Sequence, residues 1–130
     1  MSTLKADTIQ STGGGAATLT KQSAAKAWIN FNGVGTVATR GSFNVSSLAD
    51  EGTGAYQTNL TSATADANYA VAGSAGGGGP PSGCWHTTGF NANSYNTSNT
   101  TSSFHQQIYY ATTTVADTQF IYSSLNGDLA

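Results

Sequence analysis

The sequence predicts an all-β domain: an antiparallel β-sandwich (jelly-roll-like) of about seven or eight strands, preceded by an extended N-terminal segment. Three observations lead there. Short alternations of apolar and polar residues recur about every 8–12 residues, with Gly, Asn or Asp turn signals between them. No apolar period of 3.6 residues runs longer than a single turn, so no amphipathic helix is expected. Charged residues make up 8% of the chain against about 25% in an average globular protein. Ser, Thr and Asn, together roughly a third of the chain, fill the gap beside 16 glycines. At 130 residues the chain has room for one domain and a modest core without metal or disulfide.

Residues 1–26 are polar and interrupted by Gly13-Gly14-Gly15. Thr8-Ile9-Gln10 and Ala17-Thr18-Leu19-Thr20 flank that break as short extended segments, and residues 22–27 offer one helical turn, too short to stand alone. With Leu4, Ile9 and Leu19 as its main apolar groups, this stretch cannot build a core. It is expected to lie against another subunit as an attachment or oligomerisation segment, leaving residues 27–130 as the β head.

Trp28-Ile29-Asn30-Phe31 alternates, with Ile29 and Phe31 on one face, and stops at Asn32-Gly33, a strong turn signal. Residues 34–40 are β-branched and end at Gly41. Phe43-Asn44-Val45-Ser46 alternates again, and residues 49–54 read as a charged, glycine-containing turn. Tyr56, Thr58 and Leu60 share one face of the next strand, with Gln57 and Asn59 opposite. Asp66-Ala67-Asn68 turns into a strand over residues 69–72. Residues 76–82, four glycines followed by Pro80, Pro81 and Ser82, form a long loop. Cys84-Trp85-His86 then leads into a second Asn/Ser/Thr-rich loop over residues 91–103. Two strands close the chain: residues 104–111, with Gln106, Ile108 and Tyr110 on one face, and residues 118–125.

Composition excludes several functions. A net charge of −2 gives no steering toward nucleic acid or an anionic membrane. The four basic residues, Lys5, Lys21, Lys26 and Arg40, form no cluster able to make several phosphate contacts. The opening residues lack the apolar stretch of a signal peptide, and no run of 18 apolar residues predicts a membrane span. With Cys84 as the single cysteine no intrachain disulfide is possible, which fits synthesis in a reducing cytoplasm. The sequons at Asn44, Asn59, Asn96 and Asn99 follow from the abundance of Asn, Ser and Thr.

Candidate chemistry is sparse. The glycine runs lack the Lys-Ser/Thr of a phosphate loop and the helix of a dinucleotide fold, and Gly79 is followed by two prolines. Cys84, His86 and His105 invite a metal or thiol reading, but C-x-H is not a recurring zinc spacing and no orienting acid lies nearby. The acids Asp7, Asp50, Glu51, Asp66, Asp117 and Asp128 all sit next to predicted turns, where carboxylates more often bond local amides than flank a scissile bond. No catalytic residue, cofactor or metal is therefore expected. Trp85, His86, Phe90, Asn91, Asn93 and Tyr95 stand out as aromatic and amide groups in polar loops, suited to stacking on and hydrogen-bonding a neutral sugar. The alternative is that Trp85 and Phe90 anchor their loop to the core or to a neighbouring subunit.

The run AAKAWINFNGVGTVATRGSFNVSSLADEGTGAYQTNLTSATADANYAVAGS, residues 24–74, resembles a segment found in virion proteins of tailed phages, especially marine and cyanobacterial ones. AKAWINFNG, SFNVSSLAD-GTG-Y and DANYAVAGS carry most of the likeness, and the N-terminal LKADTIQSTGG-ATLT is similar to the openings of tail-fibre and structural proteins. About 70 of the 130 residues are involved. The resemblance implies a non-enzymatic, commonly trimeric fibre-like or receptor-binding β domain, made in the host cytoplasm and added to the virion. It implies no particular binding residues. Three-fold assembly would also give the extended backbone of residues 1–26 partners, including other tail or capsid proteins. The chain is too short for both a shaft and an attachment domain, so a short fibre, a fibre tip contacting a host-surface glycan, and a capsid decoration (cement) protein all remain open. A free lectin-like module is a further alternative. A small hydrolase has no motif behind it.

Overall fold

The computed structural model describes residues 12–13, 25–77, 84–88, 99–110 and 114–127, with backbone pairing alone for residues 84–88 and for Tyr110. The described residues form nine strands in chain order: β1 (Ala27–Asn32), β2 (Ala38–Phe43), β3 (Val45–Gly52), β4 (Ala55–Leu60), β5 (Ala70–Gly76), β6 (Cys84–Thr88), β7 (Ser103–Tyr110), β8 (Thr114–Val115) and β9 (Phe120–Asn126). No helix occurs among the described residues. The strands form two sheets, one ordered β2-β1-β9-β5 and the other β3-β4-β7-β6 with β8 paired to β7. Every ladder is antiparallel. The expected antiparallel all-β sandwich is the fold observed.

The core lies between the central strands of the two sheets. Ala27, Ile29 and Phe31 of β1 and Ile121 and Leu125 of β9 meet Tyr56 and Leu60 of β4 and Phe104 and Ile108 of β7. Burying each Ile, Leu or Phe is worth ~1.5–3 kcal/mol, so these central strands carry the stability. By contrast, every residue of β2 but Gly41 is exposed. The Phe31 and Tyr56 rings pack edge to face across the sheets with centroids 5.0 Å apart. A polar bridge runs through the same layer. The Ser123 hydroxyl donates to Gln106 Oε1, and Gln106 Nε2 donates to the Thr58 hydroxyl at 2.6 Å. Satisfying both ends of the buried amide is what allows Gln106 to share an inward face with Phe104 and Ile108.

Several strand limits differ from the sequence reading, each for a local reason. Residues 34–37 are loop rather than strand, because the Asn32 side chain brackets Val34. Its Nδ2 donates to Val34 O at 2.7 Å, and Gly35 adopts a left-handed φ of 70°. Gly33 belongs to this loop for a second reason: a Cβ there would collide with the Tyr56 hydroxyl. The expected strand over residues 43–46 is split at Asn44, whose φ is 55°, and the chain passes there from one sheet to the other. The expected turn over residues 49–54 narrows to Thr53-Gly54, with Gly52 opposite Ala55. Residues 84–88 are a strand that the sequence reading did not assign, and so is the two-residue β8. The last strand starts at Phe120 rather than Thr118. The Asp66–Asn68 turn is as expected, with Asn68 N donating to Asp66 Oδ1 at 2.7 Å.

Thr12 and Gly13 form an exposed turn. Apart from Ala25 and Lys26, the remainder of the expected attachment segment, including Leu4, Ile9 and Leu19, lies outside the described residues, as do most of the two expected loops.

Candidate functional site

Alternation along β1 decides what faces the solvent. With Ala27, Ile29 and Phe31 in the core, Trp28 and Asn30 must point to the opposite side of the four-stranded sheet. The same rule applied to β9 buries Ile121, Ser123 and Leu125 and turns Phe120, Tyr122 and Ser124 outward. Register then assembles the face. Trp28 stands opposite Phe43 on β2 and Ser124 on β9, and Ser124 stands opposite Ala72 on β5. One step along, Asn30 stands opposite Gly41 and Tyr122, and Tyr122 opposite Ser74.

The result is an aromatic face that is unusually open to water. Trp28 is 43% exposed, Phe43 53%, Phe120 39% and Tyr122 43%. Between Trp28 and Tyr122 lies an open groove of about 470 Å³. Its floor is made of small residues, Ala72, Gly73, Ser74 and Ser124, with Asn30 beside them. Small residues on β5 and Ser124 on β9, beside the large Trp28 of β1 and Tyr122 of β9, create the depression.

The walls are held in place by their neighbours. Tyr122 stacks on Phe120 with planes 4° apart and centroids 6.4 Å apart. The Arg40 guanidinium covers Phe120 at 4.5 Å from the ring centroid. Arg40 is itself fixed: its Nη1 donates to Phe31 O at 2.9 Å and to Gln119 O. The outer edge of the Trp28 indole lies over Gly41, where an added Cβ would sit 3.4 Å from Cη2 and Cζ3. Among the described residues no Lys, Arg, Asp, Glu or His lines the groove. Asn30 Oδ1 is buried beside it and has no hydrogen-bond partner among the described residues. A buried amide oxygen left alone costs ~1–3 kcal/mol, so a donor at this position would be favourable.

Of the residues expected to bind a sugar, only the backbones of Trp85 and His86 are described. Trp85 and His86 lie on β6, their backbones paired with Tyr109 and Ile108 in the five-stranded sheet, and not in a loop. Their side chains, and all of Phe90, Asn91, Asn93 and Tyr95, lie outside the described residues. Trp28, Asn30 and Tyr122 were not singled out by sequence. The available signal was the alternation itself, which leaves Trp28 and Tyr122 as large aromatics on the polar side of strands whose other side is core.

The titratable groups have local roles. Asp50 Oδ1 accepts from Gly52 N at 3.0 Å, and Asp117 Oδ1 accepts from Gly54 N at 2.7 Å and the Tyr56 hydroxyl at 2.9 Å. Glu51 pairs with His105 Nδ1 at 3.1 Å. Burial, and then the neighbouring Asp117 carboxylate, push the Tyr56 phenol above its ordinary range. Among the described residues no three His, Cys, Asp or Glu side chains come together as a metal site. Compared with family models, curated proteins and solved structures, the chain matches none.

Proposed function

We propose that the chain is a non-enzymatic virion structural protein: a trimeric tail-fibre or fibre-tip subunit whose β-sandwich contributes to attachment to the host surface. The observation that carries this reading is the exposed aromatic face of the four-stranded sheet. A contiguous apolar patch costs solubility and marks a surface that meets something. With no carboxylate, ammonium, guanidinium or imidazole among its described lining residues, this one binds by shape and stacking rather than by charge steering.

The resemblance of residues 24–74 to phage virion proteins supports the same reading, because half of the aromatic face, Trp28 and Phe43, and the groove residues Asn30, Ala72, Gly73 and Ser74 are drawn from that segment. The acids offer no support for hydrolysis, since Asp50, Asp66 and Asp117 are engaged by backbone amides or by Tyr56. Residues 1–26 are the mount, docking on the trimer or on another virion protein.

Locating the chain in intact particles by electron cryo-microscopy tests the proposal. Density at the tail or a fibre is the expected result. Density spread over the capsid faces would replace it with a decoration role, and absence from the particle would overturn both.

A further inference from the structure

We infer that the groove between Trp28 and Tyr122 is a subsite for an uncharged pyranose unit of a surface glycan; this deepens the attachment reading and rests on it. Four features of the groove point to that ligand class. Its walls are two exposed aromatic rings, and the C–H face of a pyranose stacks on such rings. Its floor carries hydroxyls from Ser74 and Ser124 and the amide of Asn30, groups that match sugar hydroxyls as both donors and acceptors. Among the described residues the Asn30 carbonyl oxygen has no donor, and it belongs to a side chain that lines the groove. The groove's volume of about 470 Å³ falls within the range of roughly 300–1,000 Å³ for small-ligand sites, and it is open to solvent.

The same features argue against other occupants. A phosphate, a carboxylated sugar or a basic peptide would find no counter-charge among the described lining residues, and Arg40, which covers the neighbouring Phe120, is committed to Phe31 O, Gln119 O and that ring. An apolar side chain from a second copy would cover Ser74, Ser124 and Asn30 without pairing them, which buried polar groups do not tolerate cheaply. Trp28 and Tyr122 are also pre-positioned, by Gly41 on one side and by the Arg40–Phe120 stack on the other, so little side-chain freedom is lost on binding.

The test uses the full chain and a panel of neutral oligosaccharides ending in glucose, galactose, mannose or their N-acetylated forms, with sialylated oligosaccharides as the charged comparison. Titrations are followed through the indole N–H signals of Trp28 and Trp85 by NMR. The expected result is a saturable shift of the Trp28 signal with at least one neutral sugar, with affinity falling at least tenfold in W28A and in Y122A. Both side chains lie on the outer face of the sheet and outside the core, and the retained dispersion of the other amide signals reports that each variant is folded. Loss of binding in Trp85→Ala but not in W28A would place the sugar on β6 and overturn the inference, as would preference for sialylated sugars. No shift with any sugar, or conversion of the oligomer to monomer by W28A in sedimentation, would overturn it too, the latter by making this face a subunit interface. Particle location is read independently, so a chain found on the tail without sugar binding would sink the subsite and leave the attachment reading standing.

Discussion

The Tyr56 hydroxyl sits 2.9 Å from Asp117 Oδ1 and 3.2 Å from the carbonyl oxygen of Gly33. Tyr56 belongs to β4 of the five-stranded sheet, Gly33 to the loop after β1 of the other, and Asp117 to the link between β8 and β9. One phenol therefore ties both sheets and the last crossover together at one end of the core. Replacing it in Tyr56→Phe is expected to cost ~1–3 kcal/mol, because Asp117 loses a donor inside the fold. Urea unfolding reads this as a lower midpoint with an unchanged slope. In a double-mutant cycle with Asp117→Asn the two losses should fall short of additive.

Raising the pH should weaken the same fold. Burial pushes the Tyr69 phenol up to about 12 from the ordinary 10.0, and Tyr56 is raised as well. An unfolded chain loses these protons near pH 10, while the folded chain holds them, so stability is intact below pH 10 and falls as pH rises toward 12. Tyr69 also donates to the carbonyls of Thr100 and Ser103. Tyr69→Phe should therefore be less stable at pH 7 yet lose less between pH 10 and 12, as read by unfolding midpoints across that range.

Asn44 is the hinge between the sheets. At φ 55° it holds a left-handed backbone, while its Nδ2 donates to the carbonyls of Lys26 and Ser62 and its Oδ1 accepts from Ser62 N. Asn44→Ala should lose both the conformational preference and the bonds, about 2 kcal/mol or more. Asn44→Gly should recover part of that loss by relieving the backbone alone. Equal losses in the two variants, measured by thermal unfolding, would show that the backbone conformation contributes nothing.

Gly54 should tolerate no side chain. Its φ is 66°, and a Cβ would lie 2.8 Å from Ile108 O and from Ala116 N, both backbone atoms that cannot swing away. Gly54→Ala is expected to lose more than the ~1–2 kcal/mol of the left-handed conformation alone. The nearby Gly35, also at positive φ but with open space around it, should lose only that conformational share. Comparing the two alanine variants by urea unfolding separates strain from collision.

The fold was legible where alternation was strict. Ile29 and Phe31 in β1, and Tyr56, Thr58 and Leu60 in β4, are buried as the pattern requires. Strand ends were not legible where a single side chain sets them, as Asn32 does for the Val34 turn and Asn44 for the split between β2 and β3. β6 was hidden because Cys84–Thr88 shows no alternation of its own and is held by pairing with β7. The groove was the least legible feature. It depends on β1, β5 and β9 lying side by side, and the order β1-β9-β5 joins segments that are distant in sequence.

The most direct test of the central claim, that the aromatic sheet face is an adhesive surface of a virion subunit, is competition for adsorption. Purified wild-type chain, added in excess, should slow attachment of the particles that carry it to their host cells, and the W28A/Y122A double variant at the same concentration should not. Equal slowing by both proteins, or by neither, would contradict the account.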